Sequence, residues 1–166
     1  MPAYRVRVAT FADADALVHH RVGMFSDMGV EIDEAALAPA FRRWLGEALP
    51  TGVYRAWILE DIANGEKIEG SGPIVDGGGI TVWPPPPGPQ DLGDRLAFVY
   101  NVYTEPAHRR RGVARLIMDA VHVWCRANGV SSLALNTSVD GRPLYESMGY
   151  QLAPNPMMYL ALGANR

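Results

Sequence analysis

Three consecutive arginines, Arg109, Arg110 and Arg111, run into Gly112-Val113-Ala114-Arg115, and an apolar helical pattern begins there at once. That arrangement suits the holding of an anion. The first N–H groups of a helix have no partner inside it, and they carry the positive end of the helix dipole. Gly112 and Ala114 are small, so a diphosphate can approach the backbone closely, and the arginines add charge around it. The segment fits neither G-x-x-x-x-G-K-[ST] nor G-x-G-x-x-G, the two common phosphate loops. A plainer reading is a helix that starts after a basic turn, with Arg110 and Arg111 only a solvated face.

Other chemistry is sparse. Cys125 is the only cysteine, so no intrachain disulfide can form, and its place in a helical pattern reads as a small buried hydrophobe. His19 and His20 are adjacent, while His108 and His122 lack metal-ligand spacing, so no metal site is expected. Asp27, in Met24-Phe25-Ser26-Asp27-Met28-Gly29, can meet a substrate amine or end a helix in solvent. Tyr103 can line an acceptor site or pack in the core. Fourteen arginines stand against one lysine, Lys67, yet the net charge is only −3, which points away from nucleic acid. No apolar run reaches the roughly 18 residues of a membrane helix. The first residues lack a signal-peptide layout, so the expected location is cytoplasmic.

The elements that must position these residues follow from periodicity. With 166 residues, 48% hydrophobic and 20% charged, the chain fits one folded domain, residues 1–166. Tyr4 to Ala9 alternates as a strand. Thr10 and Asp13 form a capping-box signal with a short acid, opening a helix that runs to Gly29. Asp33 opens a second helical region, with a break or a fresh start expected at Pro39 and an end at Pro50-Thr51-Gly52. Val53 to Glu60 and Gly77 to Val82 read as strands joined by a turn near Asn64-Gly65-Glu66. Pro84 to Pro89 is a stiff extended loop. Leu96 to Thr104 is a strand ended by Pro106, Gly112 to Asn128 an amphipathic helix, and Val130 to Leu135 a buried strand. Gly141 to Met148 is a short helix, and Met157 to Leu162 a last strand. The fold class is therefore α/β: a mixed, mostly antiparallel sheet of six or seven strands flanked by about four helices, in the order β-α-α-β-β-β-α-β-α-β.

The segment Arg109-x-x-Gly112-x-Ala114, after a strand ending at Glu105-Pro106, resembles the [Q/R]-x-x-G-x-[G/A] pyrophosphate motif of the GNAT acetyltransferases. Leu144-Tyr145-Glu146-Ser147-Met148-Gly149-Tyr150 resembles the "LYE-x-x-G-[FY]" segment common in that family, and Arg7-x-x-Thr10-x-x-Asp13 its usual opening. The likeness is specific over roughly Leu96 to Tyr150 and loose elsewhere. It implies acetyl-CoA as co-substrate, lying between strands Leu96–Thr104 and Val130–Asn136. Backbone groups of Val102 and Thr104 would pair with the pantetheine arm, and those from Arg109 through Arg110, Arg111, Gly112, Val113 and Ala114 to Arg115 would hold the pyrophosphate. Asn136, at a strand end, either binds the cofactor arm or caps the strand. Tyr145 stands where the family places the acid for the departing thiolate. The base stays unassigned, because Leu96 to Tyr100 contains no acid and Glu105 does not match the family position. The implied function is direct transfer of an acetyl group to a small-molecule primary amine. Protein N-terminal or lysine acetylation and a non-catalytic acyl-CoA sensor remain as rivals. A homodimer is expected by analogy alone, with no nucleic-acid or membrane partner.

Overall fold

The computed structural model describes residues 3–63 and 72–163, so the turn expected near Asn64-Gly65-Glu66 lies outside the described residues. The chain divides into two compact units, Met1–Asn136 and Thr137–Arg166. The first holds β1 (Tyr4–Val8), α1 (Ala14–Asp27), α2 (Glu34–Thr51), β2 (Arg55–Asp61), β3 (Ile74–Trp83), β4 (Leu96–Thr104), α3 (Val113–Ala127) and β5 (Ser132–Leu135). The second holds α4 (Arg142–Ser147).

The five strands lie in the order β1-β2-β3-β4-β5. Three neighbouring pairs are antiparallel, and β4 with β5 is parallel. Side chains alternate between the faces of a strand. Ala56 and Ile58 of β2 join Leu17 of α1 and Phe41, Leu45 and Ala48 of α2 in one buried cluster. Trp57 faces the other way, its ring edge-on to Trp124 of α3 with centroids 6.2 Å apart. The sheet is thus covered by α1 and α2 on one face and α3 on the other. Cys125 is buried in α3, where burial pushes its thiol up to about 11, as a packing residue rather than a nucleophile requires.

The N-terminal opening is fixed by charge. Asp13 accepts from the Thr10 backbone N–H at 2.8 Å, the reciprocal half of the expected box. Arg7 bridges Asp13 at 2.7 Å and Glu60 at 2.9 Å, and Arg5 reaches the other oxygen of Glu60 at 2.6 Å. Burial raises the Glu60 carboxyl, but its bonds to Arg5 and Arg7 outweigh that and hold it below the usual range.

Two expectations are corrected. Pro39 neither breaks nor starts a helix: α2 runs through it. Its missing N–H forfeits one bond, to the Ala35 carbonyl, on an exposed part of the helix. The helix ends where expected, with Gly52 left-handed at φ 74°. Met157 to Leu162 is not a strand. The described sheet has five strands rather than six or seven, and Met157, Met158, Tyr159, Leu160 and Leu162 are 73–93% exposed. Apolar composition alone does not make a strand without a ladder partner, and Pro154 and Pro156 restrict the chain just before it.

Close packing of β3 rests on Gly77-Gly78-Gly79. A Cβ on Gly78 would meet Val102 Cγ2 at 3.0 Å and Ile117 Cγ2 at 3.2 Å, and one on Gly79 would run into the Tyr54 ring. Gly79→Ala is therefore expected to lower stability by about 1–3 kcal/mol, read as a fall in the midpoint of chemical unfolding, because the added methyl overlaps the ring of the buried Tyr54. An unchanged midpoint would show that Tyr54 can move.

Candidate active site

Strand β4 is longer than its partner on one side. Leu96 to Val99 pair with Ser132 to Leu135, where β5 stops. From Tyr100 to Thr104 the β5-side edge of β4 has no strand beside it among the described residues, while the other edge continues along β3. At the point of separation β4 carries one extra residue against β3. Asn101 takes up the irregularity with φ 57°, a left-handed conformation that asparagine tolerates better than most residues. The result is a gap with an open strand edge on one wall.

The anion site lies beyond the end of β4. Pro106 to His108 form one 3-10 turn, and then the backbone changes hand: Arg109 is extended, Arg110 has φ 59° and Gly112 φ 77°. Such alternation turns successive N–H groups into a concavity that fits phosphate oxygens. Gly112 stands at the N-cap of α3 with no side-chain cap, so the donors of the first turn are not spent on a capping side chain. A Cβ on Gly112 would meet nothing within 4 Å; glycine is needed there for its φ, not for space. Val113 is buried and anchors the turn, Ala114 and Arg115 are half-buried, and Arg110 and Arg111 are exposed.

Arg109 is used differently. Its guanidinium pairs with Asp27 at the end of α1, its Nε donates to the Thr104 carbonyl at 2.9 Å, and it lies 5.5 Å from the centroid of the Tyr103 ring. Asp27, Tyr103 and Arg109 thus come together as one cluster tying α1 to the end of β4. Tyr103 packs against Gly23, where a Cβ would be 2.8 Å from its Cζ, and its ring meets His20 at 5.3 Å. Glu105 Oε1 lies 2.8 Å from His19 Nε2 and 3.5 Å from His20 Nε2. Val102 is half-buried on the face of α3. The Thr104 hydroxyl donates to Asp76 of β3, and Asn136 is exposed just past β5. Tyr145 belongs to the second unit, on α4, with its ring edge-on to Tyr150 at 5.7 Å.

Residues that sequence reasoning did not assign to a site line a cavity of about 380 Å³ on the α1–α2 face. Phe41, Trp44, Tyr54 and Tyr100 form its aromatic walls, and Arg21, Thr81 and Asn101 contribute polar groups. One signal was present in the sequence: Arg21 occupies a position in the apolar stripe Leu17, Val18, Arg21, Met24, Phe25.

The profile of acetyltransferase (GNAT) domains matches residues 54–152. The chain belongs to the GNAT family. A probable N-acetyltransferase family 8 member 5 of Mus musculus is 34% identical over 86 residues, 49% of this chain and 36% of that protein. The chain spans well under half the length of the curated relatives it matches. A GCN5-related N-acetyltransferase from Ralstonia eutropha JMP134 superposes with a TM-score of 0.79 at 28% identity, covering 95% of this chain and 99% of the other. A predicted acetyltransferase from Clostridium acetobutylicum, solved with acetyl-CoA, shares the fold with a TM-score of 0.81 at 22% identity, covering 99% and 100%.

Asp76 gives this region a pH signature. Burial pushes its carboxyl up to about 7, against the smaller opposing effect of the Thr104 hydroxyl and the Gly77 N–H. Folding therefore takes up a proton between the ordinary carboxylate range and about pH 7, and that contribution to stability is lost as pH rises through the window. Asp76→Asn keeps the acceptor oxygen and removes the titration. The gain in Tm of the Asn protein over the wild type should be larger at pH 7.5 than at pH 4.5, by at least about 3 °C. An equal difference at both pH values would mean that Asp76 ionises normally.

Proposed function

We propose that this protein transfers the acetyl group of acetyl-CoA to a primary amine of a small molecule, by direct attack within a ternary complex. The observation that carries this reading is the open edge of β4 beyond Val99, leading to an uncapped helix start at Gly112. An extended pantetheine arm carries amide groups, and the free N–H and C=O groups of Val102 and Thr104 can pair with them as a neighbouring strand would. Thr104 already accepts from Arg109, so its carbonyl has one lone pair left for this. The pyrophosphate then falls at the backbone of Arg110 to Ala114, where charge is supplied by N–H groups rather than by one paired side chain. The Arg109 side chain, engaged with Asp27, shapes the turn and leaves diphosphate binding to the backbone.

The thioester supplies an activated acyl group, so an amine can displace the thiol without a covalent enzyme intermediate. An alkyl ammonium with an ordinary pKa near 10.4 is neutral only about once in a few thousand molecules at pH 7, so a proton must leave before attack. Deprotonation through water suits a cavity whose lining among the described residues holds no carboxylate. The likeness of its segment to the family's supports Tyr145 as donor to the departing thiolate, and a phenol with pKa near 10 stays protonated throughout the neutral range. A cavity of about 380 Å³ is at the small end of ligand pockets, which supports a small acceptor over a protein one.

The test is a pair of substitutions at Gly112. Asn and Asp have the same shape, and both enter the left-handed region more readily than other side chains. Only Asp places a negative charge beside the diphosphate. Calorimetry should show CoA bound at least about tenfold more weakly by Gly112→Asp than by Gly112→Asn, about 1.4 kcal/mol. Thiol release from acetyl-CoA with an amine panel should fall in parallel. Equal affinities in the two folded variants would place the pyrophosphate elsewhere.

A further inference from the structure

Among the described residues, Arg21 is a cation without an acid. The acids on α1, at its start and just after β4 are engaged with other groups: Asp13 with Arg7, Asp15 with Arg42, Asp27 with Arg109, and Glu105 with His19 and His20. No ion pair involves Arg21 among the described residues. Its Nη1 donates to Asn101 Oδ1 at 2.5 Å, and its Nε is buried with no hydrogen-bond partner among the described residues. The guanidinium lies over the rings of Phe25 and Phe41, 5.0 and 4.8 Å from their centroids. Leaving such a charge half-buried and unpaired is costly unless something else compensates it. Desolvation by burial lowers its pKa, in keeping with that cost.

This guanidinium lines the aromatic cavity. Asn101 holds it in place and is itself held, donating through Nδ2 to the buried Tyr54 hydroxyl at 3.1 Å. Asn101 is also two residues past Val99, the last residue of β4 paired with β5. One side chain therefore separates the guanidinium from the strand gap in which the thioester is proposed to lie. Phe41, against which the guanidinium lies, and Trp44 stack along the cavity wall, with ring centroids 5.7 Å apart.

From this juxtaposition we infer that the acceptor is an amine that also carries a carboxylate and an apolar group, in the manner of an aromatic or large aliphatic α-amino acid. The carboxylate pairs with the fork of Arg21, a planar donor set that matches it in shape and charge. The apolar side chain packs on Phe41 and Trp44. The amine, one carbon from the carboxylate, then faces the gap at Asn101. A single guanidinium among aromatic walls matches a singly charged carboxylate better than a phosphate dianion. It also disfavours a polycationic amine, since no carboxylate lines the cavity. The inference rests on the acetyltransferase reading and narrows its substrate.

The experiment compares L-phenylalanine with L-phenylalaninamide, whose amide removes the charge and keeps the rest. Thiol release from saturating acetyl-CoA is measured for the wild type and for Arg21→Met, with Arg21→Lys as a second variant that keeps a charge and loses the fork. The wild type should show kcat/KM at least about tenfold higher for the acid than for the amide. That order is notable because the amide's amine is the less basic and so the more often neutral. Arg21→Met should erase the difference through KM for the acid, leaving CoA affinity and turnover of the amide within about twofold, and Arg21→Lys should fall between. Equal or better turnover of the amide by the wild type overturns the inference. So does an equal loss for both acceptors in Arg21→Met, or turnover of neither while CoA binds. Failure to bind CoA at all counts against the acetyltransferase reading instead. In that event calorimetric preference for N-acetylphenylalanine over its amide upholds the pocket's ligand, and no preference overturns it.

Discussion

Strand β4 must satisfy neighbours of unequal length. On one side β3 accompanies it almost from end to end; on the other β5 stops at Leu135, opposite Val99. Buried backbone groups need partners, so an open edge inside a domain is either solvated or filled by something extended. The extra residue of β4 and the left-handed Asn101 sit where the strands part. The cavity that borders Asn101, and the helix start that follows the far end of β4, both take their positions from this mismatch.

The arginines divide by what their neighbours offer. Arg5 and Arg7 meet Glu60 and Asp13 and fix the N-terminal strand to β2 and to the start of α1. Arg109 meets Asp27 and the Thr104 carbonyl and braces the turn that leads to Gly112. These are structural pairs, and their charge is used up within the protein. Arg21 differs in having, among the described residues, only a neutral amide as its hydrogen-bond partner and two aromatic faces around it. An unpaired cation beside a cavity marks a place where binding energy can be directional, in contrast to the surrounding aromatic walls, which select by size and apolarity.

Much of this was legible in the sequence because local rules and tertiary structure agree. Leu96 to Thr104 was readable residue for residue, since its nearly continuous apolar and aromatic run, ended by Pro106, suits a strand covered on both faces. The start of α3 was readable because Gly112 and the apolar repeat after it leave few alternatives. Pro39 misled because an interior proline removes one helix bond without obliging the helix to end, and here that bond would lie on an exposed part of α2. Met157 to Leu162 misled because strand propensity reports fit to a neighbour that the sequence does not name. The cavity was out of reach for a similar reason. Arg21, Phe41, Tyr54 and Asn101 are scattered over 80 positions, and their meeting depends on α1, α2 and β4 packing together. The role of Arg109 was only half visible: its place in the turn follows from spacing, but its partner Asp27 lies 82 residues earlier.

The central claim is that CoA completes the open edge of β4 and seats its diphosphate on the first turn of α3. Amide hydrogen exchange with and without CoA tests it directly. Binding should slow exchange in two stretches, Val102 to Thr104 and Arg110 to Ala114, while the β4 amides from Leu96 to Val99, which are already paired, change little. CoA binding that leaves both stretches at their free rates, or that protects some other surface, would contradict the account.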